Sequence, residues 1–281
     1  MALLSANTLF HFTKKEFLLN IIEKGFFPRY NREFEPTVDP DFFEDIKDIY
    51  IPMVSFCDIP LSSVENHLKI YHHYGIGLST NWGQKKGLNP VTYIHSNASN
   101  INTYRKNIND LVLLYSSLIA EEFMMNKGHK PSVRNLIDKI KKVNHISYEK
   151  AKLTYALLSF LKPYKSKGIY RNQGKGYKYY NEKEWRYVPP LTDIILSEFL
   201  ILFQELNDTS KEEFNKRLES KSISFKASDV KYLIVDDKKE IDWLIKGLQA
   251  LNNKFPKKFT SYDVQYLTTT IVTCKQISED F

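Results

Sequence analysis

The chain has 281 residues, 42% hydrophobic and 14% aromatic, enough apolar material for a packed core, so a disordered chain is excluded as the default. No apolar run reaches the length of a membrane-spanning helix, and two cysteines, Cys57 and Cys274, offer neither a metal-ligand spacing nor a disulfide framework. The net charge of +7 suits nucleic acid or an acidic partner protein, and equally a lysine-rich surface with no such role.

The first residues lack the charged start, long apolar stretch and small-residue cleavage site of a signal peptide, which points to a cytoplasmic protein with no membrane partner. Residues 9–12 read as a short buried strand carrying His11. Thr13-Lys14-Lys15-Glu16 has capping-box spacing, and Phe17, Leu18, Ile21 and Ile22 form one helical face that Gly25 ends. Residues 28–49, acidic, aromatic and interrupted by prolines, read as a surface loop or lid. The next strand, 53–57, stops at Asp58-Ile59-Pro60. Ser62-Ser63-Val64-Glu65 offers a second capping box, with Val64, Leu68 and Tyr71 facing inward and Gly75 as the stop. Residues 76–78 and 91–94 read as brief strands.

From 100 to 162 the pattern turns helical: Leu111, Leu114, Tyr115, Leu118 and Ile119, then Val133, Leu136, Ile137 and Ile140, then a helix opened by Ser147 and closed by Pro163. A strand at 185–188 follows, then helices at about 192–206 and 210–219, paired strands at 222–225 and 230–235, a helix near 239–252 and a last strand near 270–274. Strands from both ends imply one α+β domain over 1–281, interrupted by the helical insertion 100–162.

Glu182-Lys183-Glu184-Trp185-Arg186 carries the densest chemistry. Side chains two apart on a strand face one side, so both carboxylates can share a pocket. The blander reading, which the residues alone favour, makes them solvated charges at a strand entrance, paired with Lys183 or Arg186. Arg186 shares a face with Glu184 and either clamps a pyrophosphate or bridges that carboxylate. His11 either donates to a ligand hydroxyl or is a half-buried histidine satisfied by backbone. Tyr74 either stacks on a base or fills the core. His72 and His73 lack a partner cluster, so no metal site is expected. Ser55 and Cys57 have no visible base partner for nucleophilic catalysis. Residues 162–183 interleave Lys and Arg with Tyr164, Tyr170, Tyr177, Tyr179 and Tyr180, a composition that fits nucleic-acid binding or a solvated loop.

Leu9-Phe10-His11-Phe12-Thr13, the run from Ile51 through Met53-Val54-Ser55-Phe56-Cys57 to Leu61, Tyr74-Gly75-Ile76-Gly77-Leu78-Ser79, Trp82-Gly83, Leu88-Asn89-Pro90-Val91, the run from Glu182 to Pro189, and Lys231-Tyr232-Leu233-Ile234-Val235 together resemble the AbiGi family of abortive phage-resistance proteins. The resemblance spans most of the chain and is least distinctive in the helical insertion. It implies a role in anti-phage defence. Its antitoxin label, from a two-gene system, implies a cognate toxin or antitoxin partner.

A more distant similarity runs to ADP-ribosyltransferase-like folds of the His-Tyr-Glu type, with a split mixed or antiparallel sheet. It implies NAD as co-substrate and a macromolecular target, RNA or DNA included. His11 would bind the nicotinamide-side ribose, Ser55-Phe56 would stand where the family has a tyrosine, and Glu184 would be catalytic. Glu182 would orient or deprotonate the acceptor, with Tyr74 and Arg186 as further NAD contacts. The alternative is a non-catalytic antitoxin or sensor that binds a partner protein.

Overall fold

A computed structural model describes residues 7–34, 48–95, 145–165, 176–192, 208–254 and 258–280, with a few isolated positions between 97 and 106. The first half holds β1 (Thr8–Thr13), α1 (Lys15–Lys24), β2 (Arg29–Phe34), β3 (Asp48–Cys57), α2 (Val64–Ile70), β4 (Tyr74–Ser79), α3 (Thr80–Lys85), β5 (Asn89–Pro90) and β6 (Thr92–Ile94). The second holds α4 (His145–Ser159), β7 (Leu161–Pro163), β8 (Glu184–Tyr187), α5 (Asp208–Arg217), β9 (Val230–Val235), α6 (Lys239–Asn252), α7 (Ser261–Thr269), β10 (Ile271–Thr273) and α8 (Cys274–Asp280).

One mixed sheet runs β10-β9-β4-β1-β3-β8-β5, with β2 added to the first half of β3; β6 and β7 form a separate parallel pair. Among the described strands of the large sheet only β10 against β9 is parallel. The α+β class expected from the sequence is what the chain adopts.

Alternation along the central strands builds two cores. Leu9, Phe56, Ile76, Leu78, Leu233 and Val235 face one side, where Leu18 and Ile22 of α1 and Leu244 and Leu248 of α6 close over them. Phe10, Cys57 and Ile234 face the other, against Val64 and Leu68 of α2 and Ile277 of α8. Each sheet face is thus covered by helices whose apolar stripe fits it. Among the described residues no helix is long and apolar enough to cross a membrane.

Several expectations change. Thr13 does not cap α1: it is the last residue of β1, paired with Tyr74, and the helix start moves to Lys14, which makes no side-chain cap bond. The ladder with β4 claims the threonine before the helix can. Phe17 is 48% exposed rather than inward, while Leu18, Ile21 and Ile22 are buried. Residues 29–34 are not loop but a strand paired with β3 from Arg29–Met53 to Phe34–Asp48.

Gly75 lies inside β4 rather than ending α2. Gly25 does end α1, at φ +88, where an added Cβ would stand 2.5 Å from the Ile223 carbonyl oxygen. That turn lets Phe26 bridge Ile223, the one ladder contact found in the expected 222–225 strand. Most of the helical insertion, and the expected helix at 192–206, lie outside the described residues.

Candidate functional site

β1 pairs with β4 along its whole length but registers with β3 only at Phe10–Cys57. Where the two strands part, the His11 Nδ1–H donates to the Ser55 carbonyl at 2.9 Å in place of a ladder bond. A cleft of about 1040 Å³ opens there, lined by His11, Thr13, Ser55, Lys162, Glu182 and Glu184, with Phe17, Arg29 and Arg32 among the remaining lining residues.

Register decides which side chains meet. Ser55 pairs with Arg186 and Cys57 with Glu184, so these four share a face of the sheet, and Phe56 and Trp185 point to the opposite one. His11 lies on the Phe56 side, its ring 5.5 Å from Phe56 and 5.0 Å from Phe26. Imidazole and carboxylate therefore reach the cleft from two sides of the parted sheet.

Glu184 is 4% exposed and Arg186 fully buried. Arg186 Nε donates to Glu184 Oε1 at 2.7 Å, its terminal nitrogens reach Glu33 Oε2 at 2.6 Å and the Ser159 carbonyl at 3.0 Å, and Ser55 Oγ donates to Glu184 Oε1 at 2.7 Å. Lys162 Nζ donates to both carboxylates, to Glu184 and, at 2.8 Å, to Glu182 Oε2. Tyr71 donates its hydroxyl to Glu182 Oε1 at 2.5 Å, and the Glu184 amide donates to the Tyr93 hydroxyl at 2.8 Å.

Glu182 and Glu184 meet by a route other than strand alternation, and of the two expected cations, Lys183 and Arg186, it is Arg186 that bonds Glu184. Glu182 is not on the strand; it ends a 3-10 turn over Tyr179–Glu182, and Lys183 takes a left-handed conformation at φ 43. That reversal, and the Lys162 ammonium between them, bring the carboxylates together.

Burial alone would raise the Glu184 carboxyl, but the Arg186 and Lys162 charges hold it well below the usual carboxylate range. Burial likewise works against the Lys162 ammonium, and Glu184, Glu182 and Glu33 reverse that, leaving its pKa well above the ordinary value. Burial lowers the His11 pKa, partly offset by the Ser55 carbonyl. The neutral imidazole is thus favoured, with Nδ1–H on the Ser55 carbonyl and Nε2 left as an acceptor rather than a donor. Burial, then the two glutamates, raise the Cys57 thiol, which disfavours the thiolate.

Of the sequence candidates, His11, Ser55, Glu182 and Glu184 line the cleft. Phe56 is placed elsewhere: it is fully buried against Phe26 and Trp82, because its register turns it into the core. Tyr74 is also placed away from the cleft; its ring packs edge-on against Trp243 at 6.2 Å, and burial followed by Glu240 and Asp236 pushes its hydroxyl up to about 12. Arg186 forms the salt bridge and not a pyrophosphate clamp, its donors being spent on Glu184, Glu33 and Ser159. Glu182, 1% exposed between Tyr71 and Lys162, is fixed in place.

Sequence reasoning did not single out Lys162, Glu33 or Tyr93. Lys162 left one signal, a lone cation between apolar Leu161 and Pro163 on a buried strand. No cluster of metal-ligating side chains occurs among the described residues.

No solved structure matches the chain. It is 24% identical over 251 residues, covering 84% of this chain and 91% of the relative, to the "Abortive phage resistance protein AbiGi" of Lactococcus lactis subsp. cremoris. Residues 26–236 match the family described as "Putative abortive phage resistance protein AbiGi, antitoxin". That match takes in both the Ser55 strand and the Glu182–Arg186 segment, and with it the chain belongs to the AbiGi family of abortive phage resistance proteins.

Proposed function

We propose that this abortive phage resistance protein takes NAD into the cleft between β1 and β3 and transfers ADP-ribose to a macromolecule. The observation that carries the reading is that His11 of the first strand and Glu184 of the eighth line one cleft. Its volume stands at the upper end of the range of about 300–1,000 Å³ usual for small-molecule sites. The parting of β1 and β3 supports a split-sheet transferase core.

NAD supplies the scissile glycosidic bond, whose electron pair leaves with nicotinamide while the acceptor's nucleophilic atom bonds the same carbon and loses its proton to water. Glu184, kept ionised by Arg186 and Lys162, stabilises the positive charge that grows on the ribose. Ser55 is its one neutral donor among the described residues, and a ribose hydroxyl can take that place. Neutral His11 accepts from a second hydroxyl through Nε2. Thr13 and Phe17 wall the same cleft.

The test is nicotinamide release and incorporation of labelled ADP-ribose, with wild type, Glu184→Gln and Ser55→Ala compared. Turnover should fall about 10²–10³-fold in Glu184→Gln, as for loss of one preorganised electrostatic group, while circular dichroism shows the fold kept. Ser55→Ala, which leaves the ion pairs intact, guards against a mere folding defect. Absence of NAD consumption with and without phage-infected lysate would sink the reading.

A second reading has its own support. Glu184 is held by four donors from Arg186, Lys162 and Ser55, as in an ion network that only builds structure, and the family description carries the word antitoxin. In that case the chain neutralises a toxin by binding it, and Glu184→Gln leaves neutralisation unchanged so long as the variant folds.

A further inference from the structure

Residues 162–183 contain six lysines and one arginine against a single acid, Glu182, which is buried together with Lys162, so five lysines and the arginine remain besides that pair. The described part of this segment folds into an aromatic face. Tyr164 follows β7, and its amide donates to the Ile94 carbonyl at 2.8 Å; the Tyr180 amide donates in turn to the Tyr164 carbonyl at 3.3 Å. These backbone bonds bring the rings together. Tyr180 lies 5.5 Å from Tyr164 and 5.3 Å from Tyr93, and His95 lies 6.0 Å from Tyr164.

Tyr180 is 49% exposed, unusual for a ring with this many aromatic neighbours. His95, Lys165, Lys178 and Lys183, neighbours of these rings in sequence, are exposed. The core does not need this face: Leu161 and Pro163 fill the buried positions of the same segment. Tyr93 joins the face to the cleft, because its hydroxyl accepts the Glu184 amide at 2.8 Å.

Aromatic rings at the surface offer stacking platforms, and neighbouring cations hold phosphates without reading sequence. Bases in a duplex already stack on each other and hide their faces, so such a platform selects single strands. We propose that the Tyr93–Tyr164–Tyr180–His95 face binds single-stranded nucleic acid beside the cleft. That the bound strand is also the acceptor of the transfer rests on the reading above; the binding does not.

The experiment is fluorescence anisotropy with labelled single-stranded RNA and DNA oligonucleotides and the matching duplexes, on the full chain without NAD. Wild type should bind single strands more tightly than duplex, with affinity falling steeply as salt rises. Tyr180→Ala should weaken binding roughly tenfold, the size of one lost stacking contact, and Tyr180→Phe should restore it. Lys165→Glu with Lys178→Glu should flatten the salt dependence. Equal binding by wild type and Tyr180→Ala, preference for duplex, or no binding to either single strand would overturn the proposal and leave the face to a protein partner. With NAD added afterwards, binding with no ADP-ribose on the strand would keep it and remove the acceptor role alone.

Discussion

Lys162 Nζ stands 2.8 Å from Glu182 Oε2 although one sits on β7 of the small ribbon and the other on the turn before β8 of the main sheet. The same ammonium also bonds Glu184, so one cation bridges two buried carboxylates, with Arg186 as the second counter-charge on Glu184. Removing one partner of such a group leaves charge uncompensated in a low-dielectric site. Lys162→Met should therefore destabilise the chain by about 3–5 kcal/mol in urea unfolding. A loss under about 1 kcal/mol, the worth of a surface pair, would show that the network is solvated.

Acid should act in two windows. His11 has a folded pKa below its unfolded value of about 6.5, so the unfolded chain binds more protons there and stability falls as pH drops through that range. His67, lowered by burial with Glu182 opposing, adds to the same loss. Glu184, held low by Arg186 and Lys162 against its burial, contributes stability above its unfolded value of about 4.3, lost as pH falls below it. Denaturant midpoints measured from pH 7 down to pH 3 should show both limbs, and His11→Gln should shallow the first. An unchanged slope in that variant would remove His11 from the account.

Lys258 should be the most reactive lysine at mildly alkaline pH. Its ammonium donates to the Ile22 carbonyl at 2.7 Å and sits 4.9 Å over the Phe225 ring and 5.3 Å over Phe259. Burial, opposed in part by Glu23, lowers its pKa to about 8. Limiting acylation followed by peptide mass spectrometry should find Lys258 modified first, with an inflection near pH 8. Labelling no faster than at exposed Lys246 would contradict this.

Gly25→Ala should cost about 2 kcal/mol or more, since a side chain there combines a left-handed backbone with a clash against backbone atoms that cannot rotate away. Gly87→Ala, at φ +78 with open space around it, isolates the backbone part and should lose only about 1 kcal/mol. Thermal melts of the two variants test the difference.

The strands that carry the site were legible because their patterns are local. Leu9 and Phe10 alternate between two cores, and Glu184 and Arg186 share a face as period two requires. α6 was legible from Leu244, Leu248 and Leu251, which repeat at helical spacing and are all buried. β2 was not, because Arg29, Asn31 and Glu33 are polar and its pairing depends on a distant strand. Phe56 was assigned to the pocket from its place between His11 and Glu184 in the His-Tyr-Glu order, and only register shows which way it points. Lys162 escaped because nothing in its neighbourhood announces two carboxylates about twenty positions later; ion pairing across such separations is a property of the folded chain.

The polar network draws Glu33, Tyr71, Ser159, Lys162 and the Glu182–Arg186 segment from widely spaced stretches of chain. A polypeptide still emerging from the ribosome lacks the last of these until Arg186 has been made. Until then the cleft lacks its Glu182 and Glu184 lining, so this network can close only late in synthesis.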